Sequence, residues 1–303
     1  MSDAVSDAAS RGASRGESGG GSVPPESATR DGATPDGATR DGATGIWRWR
    51  LPELPAEQLP LALHLTQRRL PVGSTLELTV SDSVGAGRLA RLLVGAGLTA
   101  DDDPGPGNDG TLTSRVVRTW TLADTVGPGM HLLICGVNPS PYSADAGVGY
   151  ARPGNRFWPA ALAAGVVGLD RDPVAALAAG MGMTDFAKRP TRTAAEVTDD
   201  EYRAGFARVS ELVEWLRPGA VCFVGLSGWR ALVDRRAVAG PQPTGVGGQP
   251  VYVMPSTSGL NARTPLAELA DHLAAARDLG SLPDAAGSTP RATTPESRRS
   301  APR

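Results

Sequence analysis

Cysteine is nearly absent from this chain: two of 303 residues, Cys135 and Cys222. Both fall in apolar, strand-like runs, so they are expected as small core residues in a reducing compartment. Two thiols cannot by themselves ligate an iron–sulfur cluster, which takes about four. Long apolar runs are missing too. The longest, around Ala160 to Leu169, is too short and too broken by glycine to span a bilayer. No charged-then-apolar signal segment opens the chain. A soluble, cytoplasmic protein with no membrane partner is therefore expected. Neither charge sign is in surplus: the formal net charge is −2. That excludes a general polyanion-binding coat and leaves only a local face for such a partner. Large apolar side chains are scarce in the first 45 residues and in the last twenty or so. Such segments cannot offset the entropy of ordering, so 1–45 and 281–303 are expected as disordered tails. The first tail ends in a short repeat, RDGAT-PDGAT-RDGAT, over residues 30–44.

What lies between the tails divides in two. From Ile46 to about residue 124, Trp47, Trp49 and Leu51 alternate as a strand and Leu59 to Leu70 fits a helix. Leu76, Leu78 and Val80 alternate as a second strand. Leu89, Leu92, Leu93 and Val94 fit a helix ended by Gly95, and Val116 to Leu122 reads as a third strand. This order suggests a small α/β or α+β accessory module of unknown role. Within it, RLPVGSTLELTV followed by LLVGAGL, residues 69–80 and 92–98, faintly resembles the closing strands of a class I methyltransferase. No Gly-rich strand–turn–helix cofactor loop precedes it, so no methyl transfer is read.

Residues 125–280 are more regular. Short apolar runs at 131–137, 180–186, 220–224 and 251–254 alternate with helical patterns. Asp172-Pro173 opens one helix. Thr198 with Glu201 is a capping box for another that reaches Leu216 and stops at Pro218-Gly219. Thr264 is expected to cap the last helix, with Pro265 at its first position. Near-uniformly apolar strands between helices mean a parallel sheet covered on both faces, a three-layer α/β/α domain.

The organising stretch is HLLICGVNPSPYSADAGVGYARPGNRFW, residues 131–158. Pro139 forbids the strand from continuing and holds Asn138 extended. Asn138 thus sits at the carboxyl end of a strand, where open α/β sheets bind ligands. A long polar loop is expected from there to Asn155, followed by a helix from about Arg156.

Residues 136–158 resemble the first motif of the mismatch-specific uracil-DNA glycosylases, the family that includes thymine-DNA glycosylase. The pattern is G-[IV]-N-P, a small-residue loop, an aromatic, then P-x-N-x-F-W. Asn138-Pro139, Gly147, Tyr150, Pro153, Asn155, Phe157 and Trp158 match it without a gap. MPSTSGLNAR, residues 254–263, resembles the second motif. The likeness covers roughly residues 120–280, about half the chain.

The resemblance implies a uracil-DNA glycosylase-like fold and a monofunctional enzyme. It would flip uracil, or thymine or a modified pyrimidine, out of a mispair with guanine in double-stranded DNA and leave an abasic site. It implies no metal, no cofactor and a monomer. Asn138 would orient the attacking water, since an amide cannot take a proton near neutral pH. Val137, Pro139, Ser143, Gly147, Tyr150 and Asn155 would form the base pocket. Tyr150 would stack on the base, Ser143 would sit near its C5 edge, and Asn155 would brace the loop or cap the next helix. Backbone N–H groups of 138–147 would steady the departing anion. Leu260 would plug the vacated stack. Gly259 and Asn261 would approach the widowed base, and Arg263, Ser256 and Ser258 would hold phosphates. Relatives carry Lys or Asn where this chain has Asp185, which leaves base selectivity open; Lys188 and Arg189 could supply positive charge instead. The alternative, from another class, is a non-catalytic mismatch sensor that flips and holds bases.

Overall fold

The structure is a computed structural model that describes residues 38–261 and 263–281. Most of the expected N-terminal tail, and the C-terminal one beyond residue 281, lie outside the described residues. The end of the repeat does not: Ala38–Arg40 forms strand β1 and pairs antiparallel with β2, Trp47–Leu51. An edge strand needs backbone partners rather than apolar side chains, and here a single buried Ala38 suffices.

The first sheet continues with helix α1 (Leu59–Arg69), strand β3 (Thr75–Ser81), helix α2 (Ala86–Gly95) and strands β4 (Leu98–Ala100), β5 (Gly105–Pro106) and β6 (Thr111–Arg118). The order is β1-β2-β3-β6-β4, with β5 also on β6. β2 and β3 are parallel, so β2-α1-β3 is a crossover unit; the other pairs are antiparallel. β6 starts and ends earlier than the apolar run Val116 to Leu122 suggested. It matches β3 residue for residue from Ser81↔Thr111 to Thr75↔Val117. That pairing, not the run of large side chains, sets its limits.

The second sheet carries the site. Its strands are β7 (Leu132–Gly136), β8 (Met181–Asp185), β9 (Ala220–Val224), β10 (Gly240–Pro241) and β11 (Val251–Met254). The order is β10-β11-β9-β7-β8, all parallel except the short edge strand β10. Every residue of β7, β8, β9 and β11 is buried. Alternate residues face opposite layers. Leu133, Cys135, Val221, Phe223 and Val253 pack toward helices α6 (Asp199–Leu216) and α7 (Leu226–Leu232). Leu132, Ile134, Cys222, Tyr252 and Met254 pack toward α4 (Phe157–Ala163), α5 (Pro173–Ala178) and α8 (Leu266–Gly280). The α/β/α layering inferred from the sequence is thus observed. No helix among the described residues is long and apolar enough to cross a membrane.

Local signals explain most boundaries. Asp172 accepts the Ala175 N–H with Pro173 at the first position, and the Thr198–Glu201 capping box opens α6. Two expectations are corrected. The polar loop after Asn138 contains a helix, α3 (Pro141–Ala146). Ser140 caps it by accepting the Ser143 N–H, Pro141 fills its first position, and Gly147 ends it in the left-handed conformation. At α8 the cap is Pro265 itself, and the helix begins at Leu266. The Thr264 hydroxyl is engaged instead by the Asn261 side chain.

The two sheets meet through residues 119–125. Thr125 bridges Met183 of β8, and the Trp120 indole donates to Asp145 of α3. Asp124 is fully buried between Lys188, Thr184 and Arg208, at 2.8, 2.8 and 2.5 Å.

Candidate active site

β7, β9 and β11 end on one edge of the parallel sheet, and the loops that leave them enclose a cavity of about 180 Å³. That is below the ~300–1,000 Å³ of pockets for drug-sized ligands, a scale suited to one flat ring system. Its walls come from Val137–Ser140, Ser143, Tyr150 and Asn155, from Thr184 and Asp185 at the end of β8, from Thr191–Ala194, and from Ser256–Ser258.

Asn138 is half-buried on the wall. Its amide nitrogen donates to the Pro139 carbonyl (3.0 Å), the Arg189 carbonyl (3.3 Å) and Thr191 Oγ1 (2.7 Å). Thr191 in turn donates to the Thr193 carbonyl at 2.6 Å, so its lone pair is free for Asn138. With the NH₂ group committed, Oδ1 is left as an oriented acceptor. An acceptor can hold one proton of a water and aim its lone pair, which is positioning rather than proton abstraction.

Tyr150 has φ +57, a left-handed conformation that costs a non-glycine residue about 1 kcal/mol or more. Its ring stacks on Phe157, with centroids 4.2 Å apart and planes 18° from parallel, which recovers ~0.5–1.5 kcal/mol. One ring face is thus occupied, and at most one remains for a ligand. Its hydroxyl is buried without a partner among the described residues. Phe157 and Trp158 are core, and the Trp158 indole donates to the Gly149 carbonyl at 2.8 Å. Asn155 accepts the Phe157 N–H at 3.0 Å, a brace at the start of α4. Ser143 is buried and accepts from the Ser140 hydroxyl at 3.1 Å. Gly147 does not line the cavity. It terminates α3, and a side chain there would press on Arg68.

The second loop splits likewise. Ser256 and Ser258 line the cavity. Gly259, Asn261 and Arg263 do not. Asn261 donates to the Ser256 carbonyl (2.8 Å) and Thr264 Oγ1 (3.1 Å), bracing the loop from inside, while Arg263 is exposed. Leu260 stands 82 % exposed. It borders a shallow groove with Tyr142, Arg152, Arg192 and Ser140, and the last three also line the cavity. Leu260 and Asn138 therefore serve one continuous surface.

Sequence reasoning missed the clamp between the loops. The Arg156 N–H donates to the Thr257 carbonyl, and its guanidinium donates to the carbonyls of Thr264 and Asn261. An arginine directly before two core aromatics, Phe157 and Trp158, was the available signal. The expectation that Lys188 and Arg189 supply free positive charge is corrected. Lys188, the only lysine in the sequence, is spent on Asp124, and Arg189 is paired with Glu201 at 2.7 Å. Arg152 and Arg192 on the rim are the exposed cations instead.

Two buried acids, Asp185 at the end of β8 and Asp124 hydrogen-bonded to Thr184 beside it, are held differently. Burial pushes Asp124 up, but Arg208 and Lys188 outweigh it and hold the carboxyl below its ordinary value. Burial raises Asp185 to about 6; Lys188 and Arg208 oppose this shift and Asp124 adds to it. Among the described residues no cluster of three or more His, Cys, Asp or Glu could hold a metal ion.

A family model described as the uracil DNA glycosylase superfamily matches residues 123–280. The chain belongs to that superfamily. The matched segment contains the whole second sheet, both loops and the cavity between them. A candidate uracil DNA glycosylase from Methanosarcina acetivorans, solved by solution NMR, is similar at 22% identity and a TM-score of 0.37. The similarity covers 52% of this chain and 96% of that one. The first sheet lies outside the superfamily match, which begins at Ala123 in the segment that connects it to the second sheet.

Proposed function

We propose that the chain is a monofunctional DNA glycosylase of the mismatch-specific kind. It flips uracil, or a related pyrimidine, out of a mispair with guanine and hydrolyses its N-glycosidic bond. The bond between C1′ and N1 breaks with its electron pair going to the base. A water held by Asn138 Oδ1 adds to C1′, and its proton ends on the departing base. Extrusion costs a few kcal/mol, least at a mispair, which is where selectivity for mispairs would begin. No metal or cofactor takes part in this scheme.

One observation carries the reading: a fully displayed leucine on the rim of the same pocket that holds an oriented amide. An exposed Leu forgoes about 1.5–3 kcal/mol of burial, which insertion between bases would recover. Arg152, Arg192 and Arg263 would meet phosphates around it. Tyr150 would offer its free face to the base, and Ser143 would approach the C5 edge.

The test is release of free uracil from a duplex with uracil opposite guanine. The wild type should release it, and Asn138→Ala should do so on the order of 100-fold more slowly, the usual effect of misplacing a reacting group. Excision by the variant at the wild-type rate would remove Asn138 from the mechanism. Tight binding with no base released by the wild type would favour the non-catalytic mismatch sensor.

A further inference from the structure

Two large apolar side chains stand on the rim of the pocket, and the reading above uses only Leu260. The other is Tyr142, in the first turn of α3. It is 50 % exposed, and no hydrogen bond or ring contact holds it among the described residues. Exposed apolar residues scattered singly are ordinary. Of those among the described residues, however, only Tyr142 and Leu260 border the groove that leads out of the pocket. They come from different loops, and Ser140, Arg152 and Arg192 belong to groove and pocket alike. The neighbours of Tyr142 in the chain turn the other way: Ser140 and Ser143 line the pocket. Its stem is firm. Ser140 accepts the Ser143 N–H at 3.1 Å at one end of α3, and the Trp120 indole donates to Asp145 at 2.8 Å near the other.

Removing one base from a stack bares two faces, one on each flanking base of the same strand. A leucine fills volume there but has no flat face to offer. A tyrosine ring is flat and as thin as a base, and aromatic side chains are what sequence-tolerant nucleic-acid sites stack on bases. The groove beside Tyr142 continues into the pocket that takes the flipped nucleotide. The nucleotide bonded to that one is therefore the part of the DNA brought nearest the ring, and Arg152 and Arg192 suit the phosphates between them. Resting on the glycosylase reading above, we propose that Tyr142 stacks on the base next to the extruded one, on the same strand. Leu260 and Tyr142 then close the gap together, and excision depends on the neighbouring nucleotide.

The dependence has a sign. A purine presents a larger face than a pyrimidine, so the ring gains more against a purine neighbour, and excision is faster there. The phenol oxygen adds nothing to a stack, so phenylalanine serves equally well at this position. The loop after β7 thereby carries two tyrosines with different tasks. Tyr150 is pinned on Phe157 inside the pocket, whereas the Tyr142 ring is left free outside it. Because Tyr142 touches no other ring and no polar partner, its removal leaves the pocket and the Asn138 hydrogen bonds intact.

The experiment has two arms, both with the full chain. The first places 2-aminopurine, a fluorescent base quenched by stacking, on one side or the other of a uracil opposite guanine. The slow Asn138→Ala protein is bound to each duplex. Emission should stay low on one side, rise severalfold there when Tyr142→Ala is added, and stay low with Tyr142→Phe. The second arm measures uracil release by Tyr142→Ala with Asn138 intact. Release from duplex should fall by about tenfold with a purine on that side and by about threefold with a pyrimidine, the scale of one base–aromatic stack. Release from single-stranded uracil DNA should be unchanged, which also shows that the variant folds. Emission that ignores the ring on both sides, a phenylalanine variant that behaves like alanine, or equal losses from duplex and single strand overturns the proposal. Absence of uracil release by the wild type from every substrate is a separate result. It removes the glycosylase reading, while the emission arm still decides whether Tyr142 stacks on DNA.

Discussion

The loops after β7 and β11 leave the same sheet edge and border the same cavity, yet they are built to opposite ends. In the first, polar groups are tied down: the Asn138 amide has three acceptors, Ser140 and Ser143 hold each other, and Tyr150 is pinned on Phe157. In the second, the inside is braced by Asn261 and Arg156 while Leu260 is thrust into solvent. A group that positions a water must be placed to within a fraction of an ångström, so its freedom is removed by hydrogen bonds. A group that fills a gap in a base stack needs only apolar volume on a firm stem. Under the proposed mechanism, the difference is in the kind of precision each step needs.

The comparison breaks first at Asn138. Its replacement by Ala should slow excision to a similar degree from duplex and from single-stranded uracil DNA, on the order of 100-fold in each, because the lost step follows flipping. Leu260→Ala should behave otherwise. In duplex its loss should cost about tenfold, within the free energy of one buried Leu side chain. In single-stranded substrate, where no stack has to be plugged, excision should be unchanged. Equal losses on both substrates would show that Leu260 is not a wedge.

Much of this contrast is legible in the sequence, and what is not has a physical reason. The four buried strands announce themselves by unbroken apolar runs, and the ends at Asn138-Pro139 and Met254-Pro255 by proline. Leu260 stands out because it has no apolar neighbour at helical or strand spacing. α3 was hidden because a six-residue helix has too little length for a 3.6-residue period to show. Its caps, Ser140-Pro141 and Gly147, were the readable signal. The fates of Lys188 and Arg189 were not readable at all. Lys188 is drawn inward by Asp124, 64 residues away in the chain, and Arg189 pairs with Glu201, 12 residues on, and no local pattern reports either pairing. Asp185 differs from Asp124 for the same reason: one acid is hydrogen-bonded to cations and the other lines the cavity wall.

Arg156 tests whether the loops act as a unit. Its guanidinium supports the second loop at two carbonyls, and its own N–H holds a third. Arg156→Ala removes the side-chain bonds and keeps the backbone one. Leu260 would then sit on a looser stem while Asn138 keeps all its partners. Duplex excision should fall about fivefold, roughly 1 kcal/mol, and single-strand excision should hold. Combined with Leu260→Ala it should add little, since both changes remove the same contribution. Full additivity would mean that the arginine supports something other than the wedge.

The smallest effect belongs to the rim. Arg152 and Arg192 flank the groove between the pocket and Leu260, and both are exposed. Contacts of this kind carry no information about the base, so each should weaken binding to mispaired and matched duplexes alike. Releasing one phosphate contact lowers the slope of log affinity against log salt by about 1. Arg152→Gln and Arg192→Gln should each do so, and the double variant by about 2. A net charge of −2 over the whole chain makes this measurement discriminating. With no general positive field to compensate, two arginines beside the wedge should account for a visible share of the salt dependence, and an unchanged slope would place the DNA on another face.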